Sequence, residues 1–192
     1  MAFKIEEKFQ VQASVDRVWQ YLIAPEKVVV CMPGAELTEV QDERTFLGSV
    51  KVKVGPVTVS YKGRVQLTEV DEQGHLIRMV GEGREAGGAG SARVTMSSQV
   101  SSLPNGSSEV KVEAEVDLVG KIVQFGRGMI EDVAKQLFRQ FAGCVRERLE
   151  RPLEASAEET PAREVEPVRA LPLALKALWA AIVRFLRRLV GR

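Results

Sequence analysis

Hydrophobic and polar residues alternate along much of the first 118 residues, a period that is typical of β-strands with one buried face. The first such run spans residues 3–11, where Phe3 and Phe9 fall on the apolar side. Similar runs recur between about residues 35 and 118 and are separated by turn signals such as Gly55-Pro56. The pattern predicts a meander of antiparallel strands.

Helical signals occur at two places. Ser14 and Pro25 are suited to start two short helices directly after the first strand, and Pro33-Gly34 ends this segment. Apolar residues then recur at spacings of three and four from about residue 120 to 150, which predicts one long amphipathic helix. Because a helix with one apolar stripe must bury it, we expect an α+β fold: a curved antiparallel sheet wrapped around a long C-terminal helix.

Three segments within residues 1 to 150 resemble a known family. They are VWQYLIAPEKV (18–28), CMPGAEL (31–37) and VGKIVQFGRGMI (119–130), and together they resemble the carbon monoxide dehydrogenase G-subunit family. The resemblance implies a START-like (SRPBCC) helix-grip fold with a ligand-binding domain over residues 1–150. It also implies partnership with a molybdenum hydroxylase of the carbon monoxide dehydrogenase type.

The helix-facing side of the predicted sheet combines small and large apolar residues. Gly63, Gly81 and Ala114 fall on this helix-facing side, and their absent or small side chains leave room for an apolar ligand. The glycines can also serve to bend the sheet or to form bulges. The resemblance favours a pocket, since START-like proteins commonly enclose hydrophobic ligands. The candidate lining residues are Met32, Phe46, Val52, Tyr61, Met79, Val94, Met96, Phe125, Met129 and Val133.

Composition changes after residue 150. Residues 151–170 contain three prolines and five glutamates, which predicts a disordered linker. Residues 171–192 contain five basic residues and no acidic ones, and a helical projection places the basic and large apolar residues on opposite halves. This arrangement predicts an amphipathic helix lying on an anionic membrane surface, with a partner protein or its own domain as alternative docking sites. The expected membrane-binding residues are Lys176, Trp179, Ile182, Arg184, Phe185, Leu186, Arg187, Arg188 and Leu189.

Overall charge and cysteine content narrow the possible functions. The chain has 27 Lys and Arg residues against 26 Asp and Glu residues, a balance that argues against nucleic-acid binding. Cys31 and Cys144 lie far apart in the sequence, and we expect them to be unbridged packing residues in a reducing cytosol. The first residues lack the apolar run of a secretory signal, so we expect a cytoplasmic protein that is peripheral on the cytoplasmic face of the cell membrane.

Catalytic signals are weak. The sequence contains one histidine, His75, and none of the metal-protease, nucleophile-elbow or P-loop motifs. We therefore expect no enzymatic activity, no metal site and no intrinsic cofactor.

The predicted pocket and tail suggest a single hypothesis. The protein would recruit the hydroxylase to the membrane and bind a lipoquinone, or another lipid, in its pocket. One alternative is a START-like enzyme of the cyclase or hydroxylase type acting on an aromatic ligand, with Tyr61 and Ser98 as its polar candidates. Another is a maturation factor for the hydroxylase.

Overall fold

The computed structural model of this chain describes residues 1–88 and 90–151. Seven strands and three α-helices form in these residues. The strands are β1 (Ala2–Val11), β2 (Ala35–Val40), β3 (Thr45–Val54), β4 (Val57–Asp71), β5 (Leu76–Glu85), β6 (Ser91–Ser102) and β7 (Ser108–Val119). The helices are α1 (Val15–Leu22), α2 (Pro25–Cys31) and α3 (Arg127–Glu150).

All seven strands belong to one antiparallel sheet with the order β1-β7-β6-β5-β4-β3-β2. Strands β2 to β7 form a meander, and β1 closes the order by pairing with β7. The two short helices connect β1 to β2, and the long helix follows β7. This arrangement confirms the predicted START-like helix-grip fold.

The strand register determines which residues face α3. Phe3 lies opposite Val116, Val116 opposite Val94, and Val94 opposite Gly81. Side chains alternate along each strand, so these residues and their next-but-one neighbours share one side of the sheet. We call this side the inner face, since its residues form the buried core with α3.

The long helix begins later than the sequence pattern predicts. Residues Lys121–Phe125 form a 3₁₀ helix, and Gly126 separates it from α3 with a φ of 78°. This left-handed conformation favours glycine, because it has no Cβ, and it interrupts the α-helical hydrogen bonding. The prediction of one helix from about residue 120 was therefore wrong for residues 120–126.

The inner face is packed at both ends. The first cluster surrounds Phe9, whose ring lies edge-on to Phe138 and Phe141 at centroid distances of 5.7 and 6.1 Å. The second cluster contains Phe3, Val54, Val59, Tyr61, Leu118, Ile122 and Ile130. The two clusters hold opposite ends of the sheet and of α3 together.

The two cysteines form a disulfide bond. Cys31 at the end of α2 is bonded to Cys144 in α3, with 5.4 Å between their Cα atoms. The expectation that they are unbridged was wrong, because a separation of 113 residues in sequence says nothing about proximity in the fold. The cysteine pattern consequently gives no support for a reducing compartment.

The predicted linker and tail helix lie outside the described residues, apart from Arg151. Within the described residues, no helix is both long and apolar enough to cross a membrane.

The inner face of the sheet as a candidate ligand site

The middle of the inner face is less well packed than its ends. Met79 lies opposite Met96, and Gly81 lies between Val65 and Val94 on the neighbouring strands. These five residues are only half-buried, and they belong to neither of the two clusters. We call the space over Val65, Met79, Gly81, Val94 and Met96 the central gap. It offers an apolar surface that the described side chains do not cover completely.

The inner-face glycines divide into two groups. A Cβ built on Gly81 would meet a single atom within 4 Å, the Cγ2 of Val65 at 3.8 Å, so space is open above it. A Cβ on Gly63 would collide with the backbone of Glu82 and Gly83, and one on Gly48 would lie 2.6 Å from the carbonyl oxygen of Glu36. Gly81 therefore contributes to the central gap, whereas Gly48 and Gly63 allow neighbouring strands to approach closely.

The structure places the ten predicted lining residues in three different settings. Met79, Val94 and Met96 line the central gap, and Phe46 is buried beside it, opposite Val65. Another four residues pack in or against the second cluster: Val52, Tyr61, Phe125 and Val133. Met32 and Met129 are 43% and 45% exposed, so they lie at the surface of the described structure.

Tyr61 brings a polar atom into the second cluster. Its side chain is 6% exposed, and its hydroxyl oxygen is buried without a hydrogen-bond partner among the described residues. Burial raises the pKa of Tyr61, and the nearby carboxylate of Glu85 raises it further. The phenol is therefore neutral at physiological pH and retains its proton for donation.

Two inner-face carboxylates were not among the candidate site residues predicted from the sequence. Glu7 lies opposite Val112 between the inner-face residues Ile5 and Phe9, and Glu85 lies opposite Tyr61. Both are half-buried. The alternation along β1 that places Phe3 and Phe9 on the inner face also places Glu7 there, because the three residues are separated by even numbers of positions. With Ser98, which is 6% exposed, these side chains give the inner face a few polar positions.

The outer face of the sheet carries a different, polar surface. A groove of about 940 Å³ is lined there by residues that include Ser49, Lys62, Arg84 and Ser91, which are direct neighbours across β3 to β6. In the next row Glu82 pairs with Arg64 at 3.4 Å and also with Arg93. This groove lies on the side opposite the predicted apolar pocket.

The single histidine, His75, packs against residues of α1. Its ring lies edge-on to Trp19 at a centroid distance of 5.5 Å, and its Nε2 is 3.8 Å from an Asp16 carboxylate oxygen. In residues 1–88 and 90–151, no group of three or more His, Cys, Asp or Glu residues is placed to hold a metal ion.

Comparison with known families identifies the group to which this domain belongs. The model of the carbon monoxide dehydrogenase G-subunit (CoxG) family matches residues 8–150. The chain belongs to the CoxG family. The match covers most of the described residues, which extend to Arg151, and the three resembling segments lie within it. A comparison with curated proteins gave no match.

Solved structures share the fold of this CoxG family member at low sequence identity. A conserved protein from Geobacillus kaustophilus superposes with a TM-score of 0.70 and 16% identity, covering 77% of this chain and 95% of its own. The Zhui aromatase/cyclase from Streptomyces sp. R1128 gives 0.61 and 14%, covering 81% and 98%. A START superfamily protein from Mycobacterium smegmatis gives 0.57 and 12%, covering 77% and 97%.

These comparisons establish the fold and the family. The name of the CoxG family implies association with carbon monoxide dehydrogenase. Membership of a family named as a subunit of carbon monoxide dehydrogenase indicates an accessory protein. Structural similarity extends to a cyclase, so the fold itself does not separate binding proteins from enzymes.

Proposed function

We propose that this protein is a non-catalytic accessory protein that binds a lipoquinone, or a similar apolar molecule, between the sheet and α3. It recruits a molybdenum hydroxylase of the carbon monoxide dehydrogenase type to the membrane. The ligand connects a soluble oxidoreductase to a quinone pool that is dissolved in the bilayer. Family membership supports the choice of hydroxylase.

The observation that carries the ligand proposal is the central gap. Protein interiors are normally close-packed, and incompletely covered apolar side chains in a core reduce stability. Here Met79 and Met96 face each other across neighbouring strands and remain half-buried, although the clusters on both sides are packed. Methionine side chains are flexible and polarisable, so they adapt to the shape of an apolar ligand.

The membrane proposal rests on the sequence of residues 171–192. Five basic residues on one half of a projected helix would attract anionic lipids, each contributing about 1 kcal/mol near the surface. The opposite half would bury Trp179, Phe185 and Leu186 among the lipid chains. The proposed location of this helix is the cytoplasmic face of the cell membrane, because the lipids of that leaflet are anionic.

A transfer assay tests the proposed function. Donor vesicles containing a lipoquinone are mixed with acceptor vesicles that lack it, with and without the full chain. We expect quinone to reach the acceptor vesicles faster in proportion to protein concentration, and to be recovered chemically unchanged. Transfer that is independent of the protein would contradict the carrier role, and a converted ligand would favour the enzymatic alternative.

A variant in the central gap distinguishes quinone transfer from vesicle binding. Gly81→Val places a side chain in the central gap and leaves residues 171–192 unchanged. It should lose transfer while retaining vesicle binding. Equal transfer by this variant and the wild type would show that the gap does not hold the quinone.

A further inference from the structure

The hydroxyl group of Tyr61 has no hydrogen-bond partner within residues 1–88 and 90–151. It is buried, and no described residue accepts its proton. The other buried residues of the second cluster, among them Val54, Leu118 and Ile130, have apolar side chains that contain no acceptor. The neighbouring strands use their backbone groups in the sheet ladders.

This arrangement has a cost for the ligand-free protein. A buried hydroxyl without a partner costs about 1–3 kcal/mol relative to a satisfied one. Phenylalanine would fill nearly the same space without that penalty. An acceptor oxygen on a ligand would offset the cost, and the ligand would reach the enclosed hydroxyl by displacing the side chains packed around it.

The ring of Tyr61 lies over Gly83, one inner-face position from Gly81 in the central gap. A Cβ built on Gly83 would be 3.3 Å from the Cβ and 3.9 Å from the Cδ1 of Tyr61, so the ring occupies the space that Gly83 leaves free. Gly83 is one inner-face position away from Gly81, a distance of about 7 Å along a strand. Because its pKa is raised by burial, the phenol keeps its proton and remains a donor.

We propose that Tyr61 is the polar anchor of the ligand site, where its hydroxyl donates a hydrogen bond to a carbonyl oxygen of an otherwise apolar ligand. This assignment rests on the proposed function and specifies the ligand class further. The ligand has an acceptor oxygen on its head group and a hydrocarbon portion that covers Met79, Val94 and Met96. A hydrocarbon without such an oxygen would leave the Tyr61 hydroxyl unpaired.

The test uses two ligands with the same carbon skeleton, 2-decyl-1,4-naphthoquinone and 2-decylnaphthalene, of which only the first has carbonyl oxygens. Their affinities for the full-length wild type and for Tyr61→Phe are measured by displacement of a fluorescent apolar probe. The ratio of quinone affinity to hydrocarbon affinity should be about tenfold higher for the wild type than for Tyr61→Phe, the effect of one hydrogen bond to a buried group. Tyr61→Phe should bind the hydrocarbon within twofold of the wild type, because that ligand makes no hydrogen bond with either protein.

A spectroscopic measurement distinguishes a direct hydrogen bond from altered packing. The infrared carbonyl stretch of the bound quinone should lie at lower frequency in the wild type than in Tyr61→Phe. An equal loss of affinity for both ligands, or an unchanged carbonyl band, would overturn the assignment to Tyr61. If the wild type binds neither ligand, the proposed function fails and this assignment fails with it.

Discussion

The disulfide between Cys31 and Cys144 joins the last residue of α2 to the second half of α3. The Tyr21 hydroxyl lies within hydrogen-bond distance of the Cys31 sulfur, at 3.2 Å, and 2.9 Å from the carbonyl oxygen of Lys27. The disulfide holds α2 against the helix that covers the inner face, and the Tyr21 contacts hold α1 against α2. The position of α2 is thus determined by a covalent bond as well as by packing.

Removing the disulfide should destabilise the domain. A cross-link that closes a loop of this length stabilises the folded state by roughly 2–5 kcal/mol, chiefly by restricting the unfolded chain. We expect Cys31→Ala with Cys144→Ala to lower the free energy of urea unfolding by that amount. Reductant should destabilise the wild type and leave the double variant unchanged. A wild type that is insensitive to reductant, with two titratable thiols after denaturation, would contradict the bond.

Two glycine positions should respond in opposite ways to a larger side chain. Gly81→Val enters open space, so we expect unchanged or slightly higher stability and at least tenfold weaker binding of a fluorescent apolar probe. Gly63→Ala forces a Cβ into the backbone of β5 and should cost about 1–3 kcal/mol. Urea unfolding and probe titration measure both effects. Destabilisation by Gly81→Val comparable to that of Gly63→Ala would show that the gap is already filled.

The two buried tyrosines should make the fold sensitive to alkaline pH. Burial raises the pKa of Tyr21 and of Tyr61 above the ordinary value of 10.0. Because the folded-state pKa is the higher one, the stabilisation is complete below about pH 10 and is lost as the pH rises towards the folded-state pKa. Tyr61→Phe should reduce the loss of unfolding free energy between pH 9 and 11.5.

Tyr21→Phe provides the matched comparison at neutral pH. Tyr21 has hydrogen-bond partners, whereas the Tyr61 hydroxyl has none among the described residues. Tyr21→Phe should therefore cost about 1 kcal/mol at pH 7, and Tyr61→Phe should cost nothing or stabilise. Urea unfolding at pH 7 would contradict this account if Tyr61→Phe proved the more damaging change.

The C-terminal tail should select membranes by charge and bind them by apolar burial. Arg184→Glu with Arg188→Glu should abolish the preference for anionic vesicles, because it reverses two charges on the basic half of the projected helix. Trp179→Glu with Phe185→Glu should abolish binding even at low salt, since a carboxylate does not enter the lipid chains unpaired. Vesicle sedimentation measures both. Wild-type protein that stays in the supernatant at low salt would favour a protein partner for the tail.

The sequence predicted the fold because the strand signal is local and repeated. Alternation along residues 3–11 and 35–118 already separates the two faces, and Ser14 and Pro25 mark the beginnings of α1 and α2. The start of α3 was missed because the apolar stripe runs on through the 3₁₀ segment, where Ile122 is buried. The spacing of apolar residues indicates which side of a segment is buried. It is the same on both sides of Gly126, so it does not reveal that the helix is interrupted there.

The candidate site was predicted in part. The alternation of side chains along a strand was sufficient to place Met79, Val94 and Met96 on the inner face. Whether a glycine opens space or accommodates a neighbouring strand depends on the distance between strands, so Gly81 and Gly63 could not be separated in advance. The Cys31–Cys144 bond depends on the docking of α2 on α3, which likewise leaves no local signal.

The most direct test of a ligand between sheet and helix is the native mass spectrum of the full chain after incubation with quinone-containing vesicles and removal of the vesicles. We predict a wild-type species heavier than the chain by the mass of one quinone, and its absence from the Gly81→Val spectrum. A bare wild-type chain, recorded under conditions in which a known lipid-binding protein retains its lipid, would contradict the account.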